Sequence, residues 1–205
     1  MPSSILDFEP QATALTEAVH SFCALGWCPA TSSNFSFRAD DGFFISPSGI
    51  DKRKLHIADL LFVDGAGACT GRPSAEMPLH SMLYRSDPAI GAVLHTHSVN
   101  AMVLSLHEAH AGRLAWHGLE IAKAIRGVSS HEDVVQLPIF PNSQDIDALA
   151  RRVRLALPSG GFGFLLEGHG LYAWGADVAE ARRHLEAYET LLACRMALRS
   201  LHANH

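Results

Sequence analysis

The sequence predicts a three-layer α/β or α+β fold, a central sheet with flanking helices in one domain over residues 1–205, and three observations carry that expectation. Strand-like and helix-like stretches succeed one another along the chain, and some of the strands pair through hairpin turns. No linker, low-complexity tract or internal repeat interrupts them. At 205 residues, with 48% hydrophobic and 18% charged residues, the chain can bury a large core as a single domain.

The first element is a helix over Gln11 to Leu25, because Ala12, Leu15, Val19 and Phe22 recur at helical spacing and Gly26 is placed to stop it. Asn34 to Arg38 alternates, Ala39-Asp40-Asp41-Gly42 supplies turn residues and Phe43 to Ser46 is strand-like, so these segments form a hairpin. Leu60 to Val63 is a further strand, Gly65 to Ala68 a turn, and Pro73 opens a helix that runs through Tyr84. The apolar run Ala89 to Leu94 reads as a buried strand, and Val99 to Leu106 as a helix. Beyond a polar connection come a short helix over Leu119 to Ile125 and a strand over Val134 to Phe140, whose Pro138 points to an edge position. Asp145 to Leu157 is a helix stopped by Pro158. Two strand-like stretches, Phe162 to Leu166 and Leu171 to Trp174, lead into a long last helix from Asp177 to about His202, with Asp177 as N-cap and Glu180 as its capping-box partner.

A net charge of -5 and a pI near 6.2, with no basic cluster, give no electrostatic footprint for nucleic acid, so none is expected as a partner. Met1 to Glu9 has neither the basic nor the apolar region of a secretory signal, and no later run is long enough to span a bilayer. No membrane partner is expected, and the expected location is cytoplasmic. Cys23, Cys28, Cys69 and Cys194 form no Cys-x-x-Cys pair and read as small buried hydrophobes, neither disulfides nor metal ligands.

The chemistry centres on His95-Thr96-His97, at the end of the apolar run. In a strand, residues i and i+2 leave the same face, so both imidazoles point one way. Zinc in a catalytic site takes three protein ligands and keeps a position open, which calls for a third donor. His169 in Gly168-His169-Gly170 fits, since its glycines remove bulk where a metal and a ligand approach. The chain has 13 histidines, and the others, including His20, His56, His107, His110 and His202, read as solvated. Thr31-Ser32-Ser33-Asn34 and Ser46-Pro47-Ser48-Gly49 concentrate donors that can surround an anion such as phosphate, and Ser74 and Lys52 stand near enough to add to them. Ordinary turns have the same composition, so both readings stand. Glu76 and Glu120 are candidate acid/base groups, though each also opens a helical segment where a carboxylate simply offsets the helix dipole.

Five segments together resemble the class II aldolase family of zinc-dependent sugar-phosphate lyases, and the likeness runs through most of the chain. They are Pro73-Ser74-Ala75-Glu76, His95-Thr96-His97-Ser98, Glu120 to Ile125, Leu137 to Asn142 with Gln144-Asp145-Ile146, and Gly168 to Gly175. The first two are shared widely by aldolases and epimerases of the family; the last three look like its dehydratase branch. The resemblance implies a three-layer α/β/α fold with a central, mostly antiparallel sheet, and one zinc ion per subunit held by His95, His97 and His169. It also implies an anion pocket around Asn34 and Ser48-Gly49, a sugar-phosphate substrate, and a cyclic homotetramer with sites near subunit boundaries. In a dehydratase, the residue matching Glu120 moves protons; in an aldolase, the one matching Glu76 does. The alternatives to a dehydratase are an aldolase of the fuculose or rhamnulose 1-phosphate type or a pentulose-phosphate epimerase, and, from another class, a non-catalytic protein that keeps fold and zinc as scaffolding, though a triad with an open position suits catalysis better.

Overall fold

Eight strands form one sheet in a computed structural model that describes residues 4–69 and 71–202: β1 (Asn34–Ala39), β2 (Gly42–Ile45), β3 (Leu61–Asp64), β4 (Ala92–Thr96), β5 (Arg113–Trp116), β6 (Val135–Phe140), β7 (Gly163–Leu166) and β8 (Gly170–Gly175). Their order is β3-β2-β1-β4-β8-β7-β6-β5, and every neighbouring pair is antiparallel except β6 with β7. The helices are α1 (Glu9–Ala24), α2 (Met77–Ser86), α3 (Val99–His107), α4 (Ile146–Ala156) and α5 (Val178–His202). Met1 to Ser3, part of the N-terminal stretch read above, lie outside the described residues.

Alternation along the strands builds a core on each side of the sheet. Phe35, Phe37, Leu94, Leu171 and Ala173 pack with Leu15, Val19 and Phe22 of α1 and with Leu185 and Leu191 of α5. Residues of the other parity, Val93, Phe164, Tyr172 and Trp174, pack with Leu79 and Leu83 of α2 and Leu149 and Val153 of α4. A strand covered on both faces must be apolar at both parities, which is why β4 and β7 read as unbroken apolar runs. The three-layer α/β/α arrangement with a mostly antiparallel sheet is therefore the observed fold. Among the described residues, no helix is long and apolar enough to cross a membrane.

The expected elements differ from the observed ones in a few places. Pro73 does not open α2: it bridges to Pro47, Ser74 to Glu76 form a turn, and Pro78 takes the place in the first helical turn where a missing N–H costs nothing. β5 lay in the stretch read as a polar connection, because only Leu114 and Trp116 of its four residues are buried. That strand, not β6, is the sheet edge. Pro138 is tolerated one strand inside because Ile139 N–H bonds to Gly112 O on the β5 side, which turns Pro138 toward β7, whose pairing begins only at Ile139. Asp177 does cap α5, accepting from Glu180 N–H at 2.8 Å, but the Glu180 carboxylate reaches back to Ala176 N–H. Not all remaining histidines are solvated, since His80 and His184 are fully buried.

Candidate metal centre

Register places the first ligand. Asn34 of β1, His95 of β4 and Tyr172 of β8 pair across three adjacent strands, so they form one row on the face that meets α2. His95 is fully buried and stacks on Tyr172 with ring centroids 3.9 Å apart. Its Nδ1–H donates to Leu171 O at 3.0 Å, which frees Nε2 to bind a metal and fixes the ring's orientation. His97 lies one residue beyond β4, its backbone N–H held by Trp27 O, and its Nε2 stands 2.8 Å from that of His95.

His169 comes from the tight turn between β7 and β8. Gly168 has φ +63°, a conformation that favours glycine. At Gly170 a Cβ would fall 2.1 Å from Thr96 O and 3.0 Å from His95 Cε1, so only glycine lets the turn close onto β4. Glu76, ahead of α2, completes the cluster: its Oε1 is 2.8 Å from His169 Nε2 and its Oε2 is 3.2 Å from His95 Nε2. One donor atom from each of Glu76, His95, His97 and His169 lies within 4.8 Å of the others.

These residues fit a metal ion. Two imidazole lone pairs 2.8 Å apart repel unless a cation or proton lies between them. Two ligands at the usual zinc distance on a tetrahedral ion stand roughly 3.3 Å apart, close to the separations here. Burial above all pushes His97 down to about 2, so it stays neutral as a ligand must. Burial alone would raise the Glu76 carboxyl, but His95 and His169 outweigh it and hold it far below the usual carboxylate range. Burial and the neighbouring Glu76 raise Tyr172, whose hydroxyl donates to Glu76 Oε2 at 2.8 Å.

Asn34, Ser48, Gly49, Lys52 and Ser74 line one cavity of about 190 Å³ that ends at Glu76 and His97. Lys52 is 2% exposed, and its ammonium donates to Pro47 O and Ile50 O. Burial lowers its pKa, and among the described residues no carboxylate pairs with it. The same cavity is lined by Ser32, whose buried hydroxyl has no partner. Ala30, Thr31 and Ser33 all have positive φ, a strained backbone of the kind that gathers at binding sites. A buried cation and unpaired hydroxyl beside a metal cluster make a pocket suited to an anion.

Glu120 stands outside the cluster within one chain. It is 70% exposed, pairs with Lys123 at 3.0 Å and His131 at 3.4 Å, and its 3-10 helix (Glu120–Ala124) packs on α5, across the sheet from α2. Conversely, His80 and Tyr172 touch the site's polar groups and were not anticipated. The four-residue spacing of Glu76, His80 and Tyr84 was the signal available for His80, since it puts all three on one stripe.

Residues 13–198 match the family model described as class II aldolase and adducin N-terminal domain. The methylthioribulose-1-phosphate dehydratase of Pectobacterium atrosepticum is 52% identical over 94% of this chain and 97% of its own. That of Stenotrophomonas maltophilia is 47% identical over 93% and 92%. Among solved structures, the L-fuculose-1-phosphate aldolase of Thermus thermophilus superposes with a TM-score of 0.80 at 26% identity, covering 95% of this chain and 98% of that one. With the sheet, the histidine cluster and these matches in agreement, the chain belongs to the class II aldolase and adducin N-terminal domain family.

Proposed function

We propose that this protein removes water from 5-methylthioribulose 1-phosphate to give 2,3-diketo-5-methylthiopentyl 1-phosphate, a step of methionine salvage. It does so as a single domain with one zinc ion per subunit, in a cyclic homotetramer. The observation that carries this reading is the extent of identity: about half of the residues match dehydratases over more than nine tenths of both chains.

His95, His97 and His169 would hold the ion, and when bound it would supply Lewis-acid stabilisation for negative charge on a substrate carbonyl oxygen. Asn34, Ser48, Gly49, Lys52 and Ser74 bind the phosphate and so fix the sugar's position over the cluster. Glu120 takes the C3 proton and returns it to the departing C4 hydroxyl, so that one water leaves and the resulting enol tautomerises to the diketone. Because Glu120 is exposed and outside its own cluster, it acts at the site of a neighbouring subunit. Glu76, held by Tyr172 and Asn34, adds a carboxylate beside the Nε2 atoms of His95 and His169.

Diketone formation from methylthioribulose 1-phosphate by the purified, metal-loaded protein tests the reading, with metal analysis of the same sample to identify the ion. No diketone would overturn it. A second reading, a sugar-phosphate aldolase, is favoured by one observation: Glu76 is within hydrogen-bond distance of both His95 and His169, at the position where an aldolase keeps its acid/base group. Condensation of dihydroxyacetone phosphate with an aldehyde would select that alternative.

A further inference from the structure

We infer that His80, with Ser36 and Tyr84 behind it, is a positioning residue that sets the direction of the Asn34 amide and makes the Ser74 hydroxyl a donor to the substrate's anionic group. This rests on the phosphate reading of the cavity that Asn34 and Ser74 line.

The direction of each hydrogen bond follows from what each atom can donate. The Asn34 group 2.7 Å from Glu76 Oε2 is the amide nitrogen, donating to a carboxylate oxygen that also accepts from the Tyr172 hydroxyl at 2.8 Å. The amide oxygen then faces His80 Nε2 at 2.5 Å, and since an oxygen of this kind only accepts, Nε2 carries a proton. His80 is fully buried, and that burial pushes its pKa down to about 3, so the ring is neutral and Nδ1 is bare. Ser36 Oγ, at 2.7 Å, therefore donates to Nδ1. Ser36 has no second hydrogen, so its 2.8 Å contact with Tyr84 is one in which the phenol donates. Tyr84 keeps its proton because burial raises it.

At the other end, the Asn34 nitrogen gives its second hydrogen to Ser74 Oγ at 3.1 Å, and Glu76 N–H donates to the same oxygen at 3.2 Å. Both lone pairs of Ser74 are taken. Its own hydrogen meets no acceptor among the described residues, and Ser74 lines the cavity, so that hydrogen is offered to an anion there. The chain thus runs one way, from Tyr84 through Ser36, His80 and Asn34 to Ser74. With the other His80 tautomer, a bare Nε2 would face the Asn34 oxygen. The amide would flip, turn its oxygen to the Glu76 carboxylate and release Ser74 from its donor role.

Long-range proton–nitrogen correlation spectra of the zinc-loaded protein, labelled at histidine nitrogen, read the His80 state directly. A neutral ring protonated at Nε2 is expected, and a proton on Nδ1 overturns the inference. Ser36→Ala removes the donor to Nδ1 without adding bulk. It should weaken binding of inorganic phosphate and raise KM by about tenfold, the scale of one hydrogen bond to a charged group, with kcat within about twofold. Unchanged phosphate affinity in a folded Ser36→Ala protein overturns it as well. Where Ser36→Ala alone is ambiguous, Ser36→Ala in a Ser74→Ala background should cost nothing further, and an additive loss counts against the chain. Absence of dehydratase activity in the unaltered protein, with the tautomer and phosphate results as expected, would remove the dehydratase reading and leave this one standing.

Discussion

Glu189 on α5 shows how the His95-Thr96-His97 tripeptide is held from behind. Thr96, between His95 and His97, points to the α5 face and donates to Glu189 Oε1 at 3.0 Å, while Oε2 is buried without a partner. Burial raises this carboxyl to about 7, against the opposing hydrogen bonds of Ser98 and Thr96. Between its unfolded value and about 7, the folded protein holds a proton that the unfolded chain has lost, so stability from this group falls as pH rises through that window. The loss is on the order of 3 kcal/mol, complete above the window. Denaturant unfolding of Glu189→Gln from pH 4.5 to 8 should lack this slope; equal slopes in both proteins would mean that Glu189 ionises without penalty. His97→Ala and His169→Ala should lose bound metal and turnover together, because each removes one donor of the cluster. Exposed His110→Ala should change neither.

Two elements can be loosened separately, and only one carries the site. Asp145 caps α4, accepting from Ala148 N–H at 2.9 Å, so Asp145→Ala should cost about 1 kcal/mol and lower Tm by roughly 2–4 °C with metal affinity intact. Gly170→Ala, in contrast, drives a methyl against Thr96 O and His95, where β8 meets β4. It should cost about 1–3 kcal/mol and weaken metal binding as well. Thermal melts beside metal titration separate the two. Equal metal affinity in both variants would mean that the β7–β8 turn does not position His169.

At the scale of the molecule, the proposed tetramer must bring Glu120 to another subunit's cluster. Val99, Val103 and Leu106 expose an apolar stripe on α3, and Leu106 lies against the Gly168 turn, so a subunit contact there would adjoin the metal centre. Glu120→Gln should retain metal while kcat falls by about 10²–10⁴-fold, and Glu76→Gln should cost less. Mixing inactive Glu120→Gln subunits with inactive His97→Ala subunits should restore activity, since by random assortment roughly one quarter of the sites pair an intact cluster with an intact Glu120. No recovery on mixing would confine Glu120 to its own chain, and a greater need for Glu76 would favour the aldolase reading.

The clustering histidines, the residues that line the cavity beside them and most strands were legible in the sequence because they depend on local rules. Side chains two apart in a strand share a face, glycines mark close approaches, and apolar runs mark strands covered on both sides. β5 escaped notice because an edge strand of four residues with two buried has too little pattern to stand out. Only the tertiary structure decided that Glu76 joins the histidines, that His80 lies in the core wired to Asn34, and that Glu120 faces outward. The first two depend on the register that sets Asn34, His95 and Tyr172 in one row and on the turn before α2 that delivers Glu76 to it, and the third on the packing of the Glu120–Ala124 3-10 helix on α5. Contacts of that kind join residues tens of positions apart, and the spacing along one chain does not encode them.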